Sequence, residues 1–336
     1  MKRVLAVLVL VLLSGGAGCG GPRGGGMQCV TPGGLTKLAQ VTGPGLTDGY
    51  AVHGTDLGSV FTMGERTYLV FGDTFGEDKS FWRSNVMGYT TDRDLSDGLR
   101  LDGMVTDEVG LAKELLPSKK VDGAEMTVIP TYGFAVGQSM YLHYMSVRHW
   151  GAPGHWEVNR SGLARSDDQG GTWRVLDAPT WPGDSGFAQV SVARDGDDLY
   201  FWGVPAGRFG GVRLATVPAD RVEDPSAYEY HPGLVVDDTV GELSVVRNDY
   251  AGAWIMMYLK EGTGVVMRQS AEPWGPWSEP KLVVDAAEYP GLYAPFMYPG
   301  SGSRVYFNLS LWEPYNVFLF SVDLRKEKQS CASSSS

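Results

Sequence analysis

Apolar, β-branched and aromatic residues in this chain fall in short runs, each closed by a glycine-rich turn. Helical periodicity is nearly absent: the best amphipathic stretch, Leu111–Leu116, is short and stops at Pro117. Strand hairpins recur instead. A first unit covers 50–105 and a second 125–178, with strands at Met126–Pro130, Ser139–Val147, Gly162–Ser166 and Trp173–Leu176. A third covers 186–232, with strands at Ala188–Ala193, Asp198–Val204, Val212–Val217 and Tyr228–His231. The fourth, 238–285, holds Glu242–Val246, Ala253–Leu259, Gly264–Ser270 and Lys281–Val284. The fifth, 290–325, holds only Tyr293–Tyr298, Arg304–Ser310 and Val317–Val322, and its missing strand is assigned to Leu35–Thr42. Five four-stranded units predict an all-β chain folded as a five-bladed β-propeller. A pair of β-sandwiches is the competing architecture.

The stretch Gly54–Asn85 carries the densest signal. Residues 55–62 and 67–73 read as strands around Met63-Gly64-Glu65-Arg66. Gly64-Glu65 suits a type II′ turn, whose first position takes a positive φ. That register places Val60 opposite Leu69, Gly58 opposite Phe71 and Asp56 opposite Asp73. Carboxylates so placed have Cβ atoms roughly 4.5–5.5 Å apart and destabilise a sheet. Close carboxylates also drive their pKa values apart, as acid/base chemistry requires. A slip of one residue sends the two to opposite faces and leaves them as edge or turn residues.

In a propeller the innermost strands start at one mouth of a central channel. Those starts carry Asp56, Glu125 and Glu242 in units one, two and four, and Gln189 and Tyr293 in units three and five. Glu242 is singled out by its apolar setting, Val-Gly-Glu-Leu-Ser-Val. Asp56, Asp73 and Glu242 are therefore the catalytic candidates. Trp82, His149-Trp150, Trp156, Trp274, Trp277 and Trp312 lie at strand ends or loops, where rings either stack on sugars or pack between blades. Trp82, Arg83, Asn85, Glu125, Trp150 and Tyr293 form the candidate substrate-binding set. Ser166–Trp173 has the Ser-x-Asp-x-Gly-x-Thr-Trp form of an Asp-box turn, read as structural. The histidines lack regular ligand spacing, and no metal or cofactor is expected.

Composition narrows the class. The 336 residues include 46 Gly, 10 Trp, 16 Tyr and 12 Phe, and charged residues make up 20%, which fits strands and turns better than helices. A net charge of −11 argues against nucleic acid as partner. Lys2-Arg3, the ten apolar residues Val4–Leu13 and Ala17-Gly18-Cys19 read as an export segment too short to span a membrane. Cys19 would be lipidated, although Gly16 stands where a lipobox usually has Leu, so ordinary secretion competes. The expected organisation is a signal segment at 1–19, a flexible tether at 20–34, one propeller domain at 35–328 and a disordered tail at 329–336. Localisation is then the cell envelope through a lipid anchor alone, or the exterior. Export also suggests a Cys29–Cys331 disulfide stapling the ends of a monomer.

Gly-Thr-Asp-Leu-Gly (54–58), Phe-Gly-Asp-Thr-Phe (71–75), Trp-Arg-Ser-Asn (82–85) and Gly-Glu-Leu-Ser-Val (241–245) resemble motifs of a bacterial family of secreted five-bladed propellers. So do Pro-Trp-Gly-Pro-Trp-Ser (273–278) and Leu-Tyr-Ala-Pro-Phe-Met (292–297). The family was long catalogued as a domain of unknown function and has endo-D-arabinofuranosidase members. The resemblance covers roughly 48–325. It implies a glycoside hydrolase on D-arabinan or a related furanose polysaccharide, acting with inversion through Asp56 and Asp73, without assigning acid and base. A non-catalytic carbohydrate-binding surface propeller is the alternative. An L-arabinanase or sialidase is a third reading; the arginine triad of sialidases is not evident.

Overall fold

The computed structural model describes residues 28–327. Strand β1 spans Val30–Gln40. Blade 1 is β2 (Leu57–Met63), β3 (Arg66–Phe71), β4 (Val86–Thr90) and β5 (Gly103–Met104). Blade 2 is β6 (Thr127–Val136), β7 (Ser139–Trp150), β8 (Trp156–Ser166) and β9 (Arg174–Pro182). Blade 3 is β10 (Gln189–Asp195), β11 (Asp198–Val204), β12 (Gly210–Pro218) and β13 (Glu229–Tyr230), with β14 (Val236–Val240) also paired to β12. Blade 4 is β15 (Leu243–Asn248), β16 (Ala253–Lys260), β17 (Gly264–Ser270) and β18 (Lys281–Asp285). Blade 5 is β19 (Leu292–Met297), β20 (Arg304–Leu311) and β21 (Asn316–Lys326), completed on its outer edge by β1. The chain is thus an all-β, five-bladed propeller of antiparallel blades, as the strand pattern predicts.

The innermost strands β2, β6, β10, β15 and β19 pack on one another around the channel. Both faces of such a strand are covered, so β19 is buried throughout and β6 along its first eight residues. Neighbouring inner strands share no ladder, and backbone N–H groups facing the next blade need other acceptors. Hydroxyls supply them. Thr131 accepts from the Val190 N–H at 3.3 Å, and Ser191 from that of Val245 at 2.9 Å. Ser244 accepts from Met297, and Ser310 of β20 from Leu57, each at 2.9 Å. Between the blades sit apolar layers, such as Phe61, Tyr68, Met140 and Leu142 between blades 1 and 2. Trp202, Trp254 and Tyr258 fill the gap between blades 3 and 4.

Several boundaries differ from the sequence reading. β1 starts at Val30, so residues 30–34 belong to blade 5 and not to the tether, and the domain starts before 35. Strand β8 begins at Trp156, not Gly162: its first half is exposed and carries the polar Glu157, Asn159 and Arg160, so no apolar run marks it in the sequence. The Asp-box behaves as read: the Asp168 carboxylate accepts from the Thr172 N–H and hydroxyl, each at 2.8 Å, and Trp173 packs against the layer between blades 1 and 2. Cys29 is buried and disulfide-bonded. Its expected partner Cys331, the lipidation candidate Cys19, the signal segment and the tail lie outside the described residues.

Candidate active site

The β2–β3 hairpin holds the first candidate carboxylate. Gly64 opens its turn with φ +61°, and pairing follows the expected register from Met63 opposite Arg66 to Ser59 opposite Val70. Then it shifts. Leu57, not Gly58, opposes Phe71, and Gly58 is the extra residue of a bulge. Leu57 and Gly58 both have positive φ, +66° and +82°. Blade 5 holds this kink: the Asn308 side-chain amide donates to the Gly58 carbonyl at 2.8 Å. The expected pairing of Asp56 with Asp73 is therefore corrected. Asp56 lies opposite Gly72, whose N–H donates to the Asp56 carbonyl at 3.2 Å. A Cβ on Gly72 would stand 2.4 Å from the Asp56 Oδ1 atom, so only glycine leaves room for this carboxyl.

Both carboxyls nevertheless line one cleft. Burial, followed by the charge of Asp73, raises the Asp56 pKa to about 7, against weaker opposing hydrogen bonds from Tyr293 and Tyr315. The Tyr293 hydroxyl donates to Oδ2 at 3.0 Å, while Oδ1 is buried with no hydrogen-bond partner among the described residues. Asp73 is also buried, and burial raises its pKa to about 6. Its Oδ1 accepts from the Trp82 indole N–H at 2.8 Å and the Thr127 hydroxyl at 2.6 Å, bonds that favour the charged form. Lys120, paired with Glu114 at 2.6 Å, adds a further downward pull.

Glu242 sits 7% exposed where β15 begins. Its Oε1 accepts from Arg208 Nη2 at 2.9 Å and Nε at 3.2 Å, and its buried Oε2 has no partner among the described residues. Arg208 also pairs with Glu261 at 3.5 Å and lies over the Tyr293 ring, 5.3 Å from its centre. Burial opposes the Arg208 charge, but Glu242 more than offsets it and its pKa is raised.

These groups line a cleft of about 1180 Å³ to which all five blades contribute. Of the candidate substrate-binding set Trp82, Trp150 and Tyr293 line it, beside Trp156 and Trp312. Three expected contacts are corrected. Arg83 is buried and donates to the backbone carbonyls of Phe81, Tyr50, Ala51 and Ala112, so it fixes loops. Asn85 is fully buried: its amide donates to Leu116 and Val128, and its oxygen accepts from the Leu115 and Leu116 N–H groups. Glu125 is off the cleft lining and accepts from Ser146 at 2.7 Å. Trp277 is buried between blades 3 and 4, and Trp274 stacks on His231 away from the cleft. Arg208 and Tyr315 were not singled out in the sequence, since both lie in second-to-third-strand turns where the inner-strand rule gives no signal.

The comparisons with known proteins agree with this architecture. Notoamide biosynthesis cluster protein J of Aspergillus sp. (strain MF297-2) is 32% identical over 56% of this chain, which spans 56% of that protein. Notoamide biosynthesis cluster protein J' of Aspergillus versicolor is 30% identical over 78% of this chain and 82% of its own length. Among solved structures, a GH43_1 enzyme from Xanthomonas citri superposes with a TM-score of 0.57 at 13% identity, covering 89% of this chain and 94% of its own. A family 117 glycoside hydrolase, Zg3597, produced by Zobellia galactanivorans gives 0.52 at 14%, covering 88% and 91%. At such identities the structural likeness speaks for the fold. Residues 42–321 match the family described as Domain of unknown function (DUF4185), and the protein belongs to that family.

Proposed function

We propose that this protein is a glycoside hydrolase acting within D-arabinan or a related furanose polysaccharide, with inversion. The observation that carries this reading is the pair of carboxyls, partly buried Asp56 and buried Asp73, both raised in pKa at one aromatic-walled cleft. Asp56, with the higher value and an unpartnered Oδ1, serves as general acid. Asp73, held towards its charged form by Trp82 and Thr127, serves as general base. In the reaction the glycosidic C–O bond breaks and its oxygen takes the Asp56 proton. Water adds to the anomeric carbon and gives its proton to Asp73. Solvent then returns the proton from Asp73 and resupplies Asp56. Glu242 and Arg208 orient sugar hydroxyls. The structural neighbours named as glycoside hydrolases support the class, and the motif resemblance supports arabinan. The fungal relatives are named for a biosynthesis cluster, not for a reaction.

We further propose an exported protein, lipid-anchored through Cys19, that works as a monomer. Chromatography of digests of D-arabinan, L-arabinan and unrelated glycans tests the substrate. Oligosaccharides of mixed length from D-arabinan are expected. Tight binding without any product would instead support the carbohydrate-binding alternative. Proton NMR of the first-formed anomer tests inversion, and a retained anomer contradicts it.

A further inference from the structure

Arg208 enters the cleft from the turn between β11 and β12 of blade 3, yet its side chain meets three other blades. Glu242 and Glu261 of blade 4 accept from it, the Tyr293 ring of blade 5 lies under it, and the Trp156 ring of blade 2 stands 5.9 Å away. The turn that carries it is fixed from two sides. On the inner side the Gln189 side-chain amide donates to the Gly207 carbonyl at 3.3 Å. On the other side the hairpin between β7 and β8 closes on it, and the Arg208 N–H donates to the Gly154 carbonyl at 3.0 Å. The two backbones touch there. A Cβ on Gly207, whose φ is +89°, would stand 2.9 Å from the Gly154 oxygen, and one on Gly154 would stand 3.0 Å from the Phe209 ring. Phe209 lies across this junction and stacks on His155, with ring centres 4.5 Å apart and planes 24° apart. It is 45% exposed and off the cleft lining. A ring so open to solvent adds little to the core. What it covers is the backbone junction behind Arg208.

We infer that Phe209 is a positioning residue. It clasps the blade 2 hairpin to the blade 3 turn and so sets where the Arg208 guanidinium stands in the cleft. Phe209 is the next residue in the chain, so the clasp acts on the backbone of Arg208 itself. The side chain has little slack to absorb a shift. Its Nε and Nη2 atoms both donate to the Glu242 Oε1 atom, at 3.2 and 2.9 Å, so a displaced turn loses one contact or both. The inference rests on the glycosidase reading in one respect, that Arg208 orients the substrate; the clasp itself does not depend on that reading. The same hairpin carries Trp150 and Trp156 to the cleft. Phe209 therefore acts through Arg208 only if these two residues are coupled.

The test is a double-mutant cycle on the full-length protein with Phe209→Ala, Arg208→Lys and the two combined, read as kcat/KM on D-arabinan. Lysine keeps a cation beside Glu242 but not the fork that places two N–H groups on one oxygen. Phe209→Ala should lower kcat/KM by up to about 10²-fold, the scale for a displacement of about 1 Å in a site. Phe209→Tyr keeps the ring and should keep the rate. On the Arg208→Lys background Phe209→Ala should have no further effect, and losses that simply add overturn the inference. A second readout needs no substrate. The NMR signal of the Arg208 Nε–H group, identified by its loss in Arg208→Lys, should move in Phe209→Ala and stay in place in Phe209→Tyr. An unmoved signal in Phe209→Ala overturns the clasp even where activity falls. If the wild type cleaves no glycan while the signal moves, the glycosidase reading fails and the clasp stands.

Discussion

At Asp56, burial and the Asp73 charge hold the proton to about pH 7, whereas hydrogen bonds and Lys120 limit the rise at Asp73 to about pH 6. Catalysis by this pair needs Asp56 protonated and Asp73 ionised. The pH profile of kcat/KM should therefore be a narrow bell. It falls below about 6 as the pair takes up its second proton, and above about 7 as it loses its last. A flat profile across that range contradicts the assignment. The same shifts set a stability trend. Both folded pKa values lie above the ordinary aspartate value of 3.8, so the folded protein holds more protons between those limits. Stability from these groups is full below the unfolded pKa and is lost as pH rises through the folded values. Asp56→Asn should accordingly raise the melting temperature at pH 8 relative to wild type, with a gain on the order of 1.4 kcal/mol per pKa unit relieved. An unchanged or lower melting temperature there contradicts the burial account. Arg83→Met should behave oppositely to a substrate contact: it leaves four backbone carbonyls without their donor. Stability should fall by more than about 2 kcal/mol. A KM effect without a stability loss would restore Arg83 to the substrate set.

The bulge at Gly58 is the element on which the site turns. Gly58→Ala should be costly twice over, because its φ is +82° and a Cβ would meet Val317 Cγ1 at 3.1 Å and Asn308 Nδ2 at 3.3 Å. Strain of roughly 1–3 kcal/mol and a displaced Asp56 should appear together as lower stability and lower activity. Gly64→Ala faces no atom within 4 Å and should cost only about 1 kcal/mol of stability, with activity retained. Denaturant melts and initial rates on both variants check the contrast. These two glycines also mark what the sequence discloses. The Gly64 turn is local, so turn chemistry and strand propensity yield the register from Ser59 to Val70. The bulge depends on Asn308 and Ser310, some 250 residues away, and no local pattern records it. Asp56 and Asp73 are thus picked out by a register that fails at Gly58, two residues before it reaches Asp56; their place on one cleft comes from the fold and not from the hairpin alone. Arg83 and Asn85 illustrate the converse. Polar residues beside a motif read as ligands for sugar, but their partners are backbone groups brought near only by the fold.

The whole ring closes through β1. Its antiparallel ladder to β21 joins the two ends of the described chain, and the Glu327 N–H donates to the Cys29 carbonyl at 2.8 Å. Removing residues through Gln40 should expose the β21 edge and strip the cover from blade 5. A lower, broader melting transition with a tendency to aggregate is expected, and an unchanged melt contradicts the role of β1. The five units were legible because each hairpin announces itself locally, and the missing fifth-blade strand because three strands near the C-terminus fall one short of the four that the other units hold. That Arg208 and Tyr315 join Tyr293 on the cleft was not, since both come from second-to-third-strand turns, which the inner-strand rule does not reach. The most direct test of the account is hydrolysis of D-arabinan by purified wild type, Asp56→Asn and Asp73→Asn, each shown to be folded. The wild type should release oligosaccharides, and each variant should lose about 10²–10⁴ in rate, the usual worth of general acid–base catalysis. An active wild type with either variant retaining full activity would contradict the Asp56–Asp73 assignment.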